Sequence, residues 1–325
     1  MSRRISRKDP ETLACDYNQS VPQPLVAIAL LSGVIVLTGA LGASGQPPIR
    51  TEPRFRSGVD VIAITATVRD AGGALVAGLG PGDFDVFEDG VRQAITHFSA
   101  GRVPIGLGLL LDVSDSMRGR RLLEARAAVE RFLVELLDPA DEFFVVAFNH
   151  EPRVIAHWMQ GPDGLGPRLD ALRPWGGTAM YDAVLHALPL VEKRSRQRAA
   201  LVVISDGADT ASDATLRDVR ASLIRSDAFV YAIAVDPPGM RSSATRVNPA
   251  ALRAITDDSG GRTALVRDTT ELSAATAQIA DELNRQYVIG YTATRPPDGE
   301  YHTIRVRVKK PGHFVQARKG YVAKR

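Results

Sequence analysis

Four almost uninterrupted apolar runs, at residues 105–113, 143–148, 200–204 and 229–235, constrain this chain more than any other feature. A strand with one wet face alternates polar and apolar residues, whereas a strand that is apolar throughout has to be covered on both faces, as a parallel strand between two helical layers is. The sequence between the runs supplies those layers. Leu122, Ala125, Val129, Phe132, Leu133 and Leu136 recur at spacings of three and four, and 181–193, 215–225, 249–257 and 270–283 also read as helices. This alternation predicts an α/β fold over residues 103–285: a doubly wound, mostly parallel sheet flanked by helices.

The flanks have a different texture. In the N-terminal segment, 55–102, Val59, Val61, Ile62, Ile64, Ala66 and Val68 outline one strand and Gly72-Gly73 marks a turn. Asp89-Gly90 stands between apolar runs at 84–88 and 91–97, a strong hairpin signal because both turn positions need positive φ. The C-terminal segment, 286–325, returns to β texture with runs at 287–291 and 304–309 separated by a Pro- and Gly-containing turn at 295–299. Neither flank is large enough to bury a core alone. They are expected to pair into one small all-β, sandwich-like domain from which the α/β domain emerges as an insertion.

Residues 1–45 form a third region. Basic residues precede an apolar run at 25–41, and Gly42-Ala43-Ser44-Gly45 follows with small side chains suited to cleavage. This reads either as a cleaved signal peptide or as a retained signal anchor crossing a membrane through 25–45. Under both readings the rest of the chain is exported, to the periplasm, the cell surface or the medium, and touches a membrane only through that anchor. The single cysteine, Cys15, falls in this region, so the exported part is expected to hold together without disulfides. Residues 46–54, with three prolines, read as a linker. The net charge of +3 over 325 residues is too small to suggest a nucleic-acid partner.

In a doubly wound sheet, ligands bind beyond the carboxyl ends of the strands, near the point where strand order reverses. Three polar clusters stand where that rule requires them. Asp112-Val113-Ser114-Asp115-Ser116 ends the first apolar run, Gly176-Gly177-Thr178 opens a helix, and Ser205-Asp206-Gly207 ends the third run. Asp112, Ser114, Ser116, Thr178 and Asp206 offer two carboxylates and three hydroxyls without histidine or cysteine. Such an oxygen set suits Mg²⁺, Mn²⁺ or Ca²⁺ and disfavours zinc or copper. An extended loop would turn Asp112, Ser114 and Ser116 to one side, and the paired glycines would let Thr178 approach.

Asp-x-Ser-x-Ser, the later Gly-Gly-Thr and Ser-Asp-Gly together resemble the metal-ion-dependent adhesion site of von Willebrand factor type A domains. The chain is similar in particular to the exported bacterial VWFA-related family, through Asp83-Phe84, Glu88-Asp89-Gly90, Tyr181-Asp182-Ala183, Ser259-Gly260-Gly261, Gln286-Tyr287, Gly290-Tyr291 and Gly320-Tyr321. Ser259 stands where threonine is expected. The resemblance implies that the hydroxyls of Ser114, Ser116 and, with a ligand bound, Thr178 hold the metal directly, while Asp112 and Asp206 hold its waters. It further implies a non-enzymatic binding module whose cation meets an Asp or Glu carboxylate of a partner protein. Asp115 and Asp209, nearby in sequence, either tune the affinity of the site or are only solvated, and the second is expected.

Other readings compete. A scaffold component of an envelope complex could use the metal only for stiffness, and metal-dependent hydrolases also gather carboxylates and hydroxyls. The chain has no Walker A loop, no Gly-x-Ser-x-Gly elbow and no Gly-x-Gly-x-x-Gly after a strand, and no base is visibly paired with a nucleophile. The six scattered histidines make no metal-ligand spacing, and His157 and His186 are expected to be structural. Trp175, beside the glycine loop, suits either a partner contact or local packing. Arg305, Arg307, Lys309 and Lys310 in the closing strand suit a solvated sheet face, or a surface for anionic glycans or lipid phosphates.

Overall fold

The computed structural model describes residues 61–323 apart from Gly207, 236–248, Thr294, Pro296 and Pro297. The expected export segment with Cys15, the linker at 46–54 and residues 55–60 lie outside the described residues, as do Lys324 and Arg325.

Alternating side chains make the leading segment four strands: β1 (Val61–Arg69), β2 (Phe84–Glu88), β3 (Val91–Gln93) and β4 (Ile95–Ser99). β2 and β3 form the hairpin expected at Asp89-Gly90, and both turn residues have positive φ, 47° and 82°. The apolar run at 91–97 is not one strand. It breaks at Ala94, where the chain crosses from one sheet of the sandwich to the other.

The middle of the chain contributes β5 (Ile105–Asp112), β6 (Glu142–Phe148), β7 (Pro152–Met159), β8 (Arg198–Ser205), β9 (Phe229–Val235) and β10 (Thr263–Val266). They form a sheet in the order β10-β9-β8-β5-β6-β7, parallel throughout except for β7, which runs antiparallel to β6. Its helices are α1 (Arg120–Arg131), extended by a π-helical turn at Phe132–Leu136, α2 (Leu165–Asp170), α3 (Met180–Glu192), α4 (Leu216–Arg225), α5 (Pro249–Ser259) and α6 (Thr269–Asn284). Side chains of α1, α2 and α6 join Leu107, Leu109 and Leu111 in the core on one face, and those of α3, α4 and α5 join Leu110 on the other. The doubly wound sheet covered on both faces is therefore the fold expected. Gly108 is required within it, since a Cβ there would lie 2.4 Å from the side chains of both Leu201 and Phe144.

The closing segment is β11 (Tyr287–Thr292), β12 (Tyr301–Val308), β13 (Phe314–Ala317) and β14 (Gly320–Val322). Its strands interleave with the leading ones in two four-stranded sheets, β13-β1-β11-β4 and β14-β12-β2-β3. Ile64, Val68, Phe84, Val86, Tyr287, Ile289, Tyr291 and Ile304 share the core of these strands. The basic residues of β12 lie outside it. The guanidiniums of Arg305 and Arg307 sit 5.0 and 5.4 Å from the centre of the Phe87 ring, and Lys309 and Lys310 face Asp85 and Asp83.

Residues Ser57–Arg325 form one unit, and its two parts meet through buried polar groups. Glu282 of α6, 1% exposed, is paired with both Arg69 of β1 and Arg262. Arg198, at the start of β8, donates to the carbonyls of Val103 and Leu283 and to the side chain of Gln286, whose amide donates in turn to Tyr231 and Thr67. Arg198 and Val103 lie at the amino ends of the parallel strands. The carboxyl ends are thereby left clear of the sandwich.

Candidate metal centre

Strand order reverses at β5: the chain goes from β5 to β6 on one side and later returns to place β8 on the other. Asp112 ends β5 and Ser205 ends β8, so the expected clusters meet at the switch point. Asp112 is fully buried. Its Oδ1 accepts the Ser114 N–H at 2.8 Å and its Oδ2 accepts the Ser205 hydroxyl at 2.6 Å. Burial pushes the Asp112 carboxyl up to about 6, helped by the negative charge of Asp206 and opposed by the bonds from Ser114 and Ser205.

The loop after β5 is not extended along its whole length. It tightens into a 3-10 turn at Asp115–Met117, which still returns Ser116 to Ser114 with their hydroxyl oxygens 3.0 Å apart. The glycine loop is tied to it, since Trp175 N–H donates to Val113 O and Asp115 N–H to Gly176 O, both at 3.0 Å. Gly176 takes φ +77°, and a Cβ there would press on the His150 ring at 3.2 Å. Thr178, 4% exposed, is held from both sides: its N–H donates to Thr210 Oγ1 and its carbonyl accepts from the N–H groups of Thr210 and Ala211. Asp206 follows Ser205 and is 1% exposed. Its Oδ2 has no hydrogen-bond partner among the described residues, and the nearest cation is Arg121, at 4.0 Å.

All five candidate residues are thus gathered at one end of the sheet. Three further residues belong there that sequence reasoning did not select. Ser205 binds Asp112. Asn149, 1% exposed and just after β6, accepts the Ala179 N–H on its backbone carbonyl, while its side-chain Nδ2 is buried with no partner among the described residues. Its place directly after an apolar run was the available signal. Arg121, 9% exposed, donates to the Ser116 carbonyl, but in the sequence it is one of several arginines on an amphipathic helix.

Asp209 departs from expectation. Rather than being solvated, it accepts the Tyr181 N–H at 2.9 Å and the Ser212 hydroxyl at 2.7 Å, satisfying a free donor in the first turn of α3. Asp182 answers by accepting the N–H groups of Asp213 and Ala214. Asp115 is exposed and paired with Arg118. Trp175 is half exposed, with its ring 4.4 Å from that of His150, so it packs within the loop and also faces outward. His157 and His186 are exposed, and no three His, Cys, Asp or Glu side chains gather as a metal group among the described residues.

Residues 107–208, which include all five candidates, match the family model of the von Willebrand factor type A domain. The α/β part of this chain thus carries a von Willebrand factor type A domain. Its sequence is 26% identical over 121 residues to inter-alpha-trypsin inhibitor heavy chain H4 of Sus scrofa, a match covering 34% of this chain and 13% of that protein. The Bos taurus protein of the same name is 24% identical over 127 residues, 35% of this chain and 14% of its own. The chain thus spans only about 13–14% of the length of these relatives. In three dimensions the chain is similar to von Willebrand factor type A from Catenulispora acidiphila, with a TM-score of 0.50 and 15% identity over 83% of this chain and 76% of that one.

Proposed function

We propose that the type A domain of this protein binds a partner protein through a divalent cation, and that the module is exported. The observation that carries this reading is the buried Asp206 Oδ2, which has no hydrogen-bond partner among the described residues. An acceptor taken out of water and left unpaired costs about 1–3 kcal/mol, a cost that a cation with its bound water would remove. The other donors fit the same group, since Ser114 and Ser116 converge on one point and every candidate atom is oxygen. Ser114, Ser116 and Thr178 would hold Mg²⁺, Mn²⁺ or Ca²⁺ directly, and Asp112 and Asp206 would hold its waters. Bound there, the cation supplies an electrophile for an Asp or Glu carboxylate of the partner.

This chain's own residues prepare that contact. Ser205 and the Ser114 N–H fix Asp112, the Val113–Trp175 and Asp115–Gly176 bonds align the two loops, and half-exposed Trp175 borders the opening. The test is calorimetric titration of Mg²⁺ into the full chain and its Asp112→Ala and Ser114→Ala variants, followed by partner capture from envelope extract with and without EDTA. Binding lost in both variants and capture lost in EDTA are expected. Capture that survives EDTA would point to a scaffold in which the metal only stiffens the domain, and no Mg²⁺ binding at all would sink the reading.

A further inference from the structure

Arg121 is a cation that ordinary packing does not explain. It lies in the first turn of α1, where a positive charge opposes the helix dipole, and it is 9% exposed although a neighbouring arginine, Arg120, is in water. Its Nη1 donates to the Ser116 carbonyl, and the same atom lies 4.0 Å from Asp206 Oδ2. That separation is too long for a hydrogen bond and short enough for strong attraction where water is excluded. Nε of Arg121 is itself buried and has no partner among the described residues. A buried guanidinium and a buried carboxylate, each short of bonds, therefore face one another beside the candidate donors.

We propose that Arg121 is the built-in counter-charge of Asp206, occupying the role of the cation when the site is empty and competing with it when it binds. This deepens the metal-binding reading and rests on it. The charges make the consequence concrete. Asp112 and Asp206, both ionised, would balance a divalent ion and leave nothing to attract a partner's carboxylate. Asp115 is already matched by Arg118, and Asp209 is bonded at the start of α3. With Arg121 included, the empty site carries one negative charge, which admits a cation, and the loaded site carries one positive charge, which suits a single carboxylate. Arg121 thus weakens the hold on metal while keeping the loaded site attractive to an anion.

The test has two arms on the full chain. In Mg²⁺ calorimetry, Arg121→Met is expected to tighten binding about tenfold by removing a nearby like charge, and Arg121→Lys to return it toward the parent value. Unchanged or weaker binding in Arg121→Met would overturn the proposal, because a residue that merely shapes the Ser116 loop would loosen the site when lost. The second arm needs no metal. In EDTA, Arg121→Met should lower the melting temperature clearly in the parent and far less in an Asp206→Asn background, the signature of a coupled pair. Equal losses in the two backgrounds would also overturn it. A parent that binds no Mg²⁺ refutes the metal reading, while the EDTA cycle still decides whether Arg121 and Asp206 are paired.

Discussion

The hydroxyl of Ser205 donates to Asp112 Oδ2 across 2.6 Å, joining the carboxyl ends of β8 and β5 where strand order reverses. Ser205→Ala removes that donor from a fully buried carboxylate. The expected loss is about 1–3 kcal/mol in urea denaturation with EDTA present. An unchanged midpoint would mean that Asp112 is held by its other contacts alone.

Glu282 is enclosed with Arg69 and Arg262 where the sandwich meets the α/β part. Burial raises its carboxyl above the usual range, and the two guanidiniums oppose that shift. Glu282→Leu would leave both arginines without their shared acid and is expected to destabilise the chain by about 3–5 kcal/mol in guanidinium denaturation. A loss under about 1 kcal/mol would show that the pairing contributes little beyond the surrounding packing.

His302 makes stability depend on pH. Its Nδ1 lies 2.8 Å from Asp89 and its Nε2 3.2 Å from Asp298, and these carboxylates hold the imidazole above its ordinary value. A group raised on folding stabilises fully below its unfolded value, about 6.5, and that contribution fades as pH rises through the folded value. Asp89, lowered to about 2 chiefly by the bond from His302, contributes with the opposite sense, present above about 3.9 and lost as pH falls through about 2. Melting temperature should therefore decline from about pH 6.5 upward, and His302→Gln should flatten that decline. Parallel profiles for parent and variant would remove His302 as the cause.

Gly261 is fixed by space. A Cβ there would stand 1.9 Å from the backbone carbonyl oxygen of Val230, which has no rotamer to escape into. Gly261→Ala is expected to cost about 3 kcal/mol. The control is Gly82→Ala, where nothing lies within 4 Å, and its effect should stay within about 0.5 kcal/mol. Similar denaturation midpoints for the two variants would contradict the steric account.

The elements that could be read from sequence are those whose signal is long. β5, β6, β8 and β9 are buried on both faces and announce themselves as apolar runs, and α3, α4, α5 and α6 are within two residues of their expected starts. β7 was not foreseen because it is an antiparallel edge strand that opens on Pro152 and mixes Arg153 and His157 among its apolar residues. β10 has four residues and α2 six with an internal Pro167, too few for either period to show. At the site, Asp112, Ser114, Ser116, Thr178 and Asp206 stood out because polar residues directly after apolar runs or at a helix start are visible in one dimension. Arg121 and Asp209 acquire their roles only when α1 leans over the loop and α3 begins beside residues 209–212. Those are facts of packing between distant segments, and no local pattern encodes them.

The first strand of the sandwich has to wait for the last. Both neighbours of β1, β11 and β13, follow the whole α/β part in sequence, so the edges of β1 are covered only when distant segments come together. Until then β1 has two unsatisfied edges, while the α/β strands can already pair among themselves. A chain interrupted before residue 287 would display an open, sticky strand that no later folding can hide. The sandwich is therefore closed by the most distant pairings in the fold, and its first strand is only as secure as the segment that follows the α/β part.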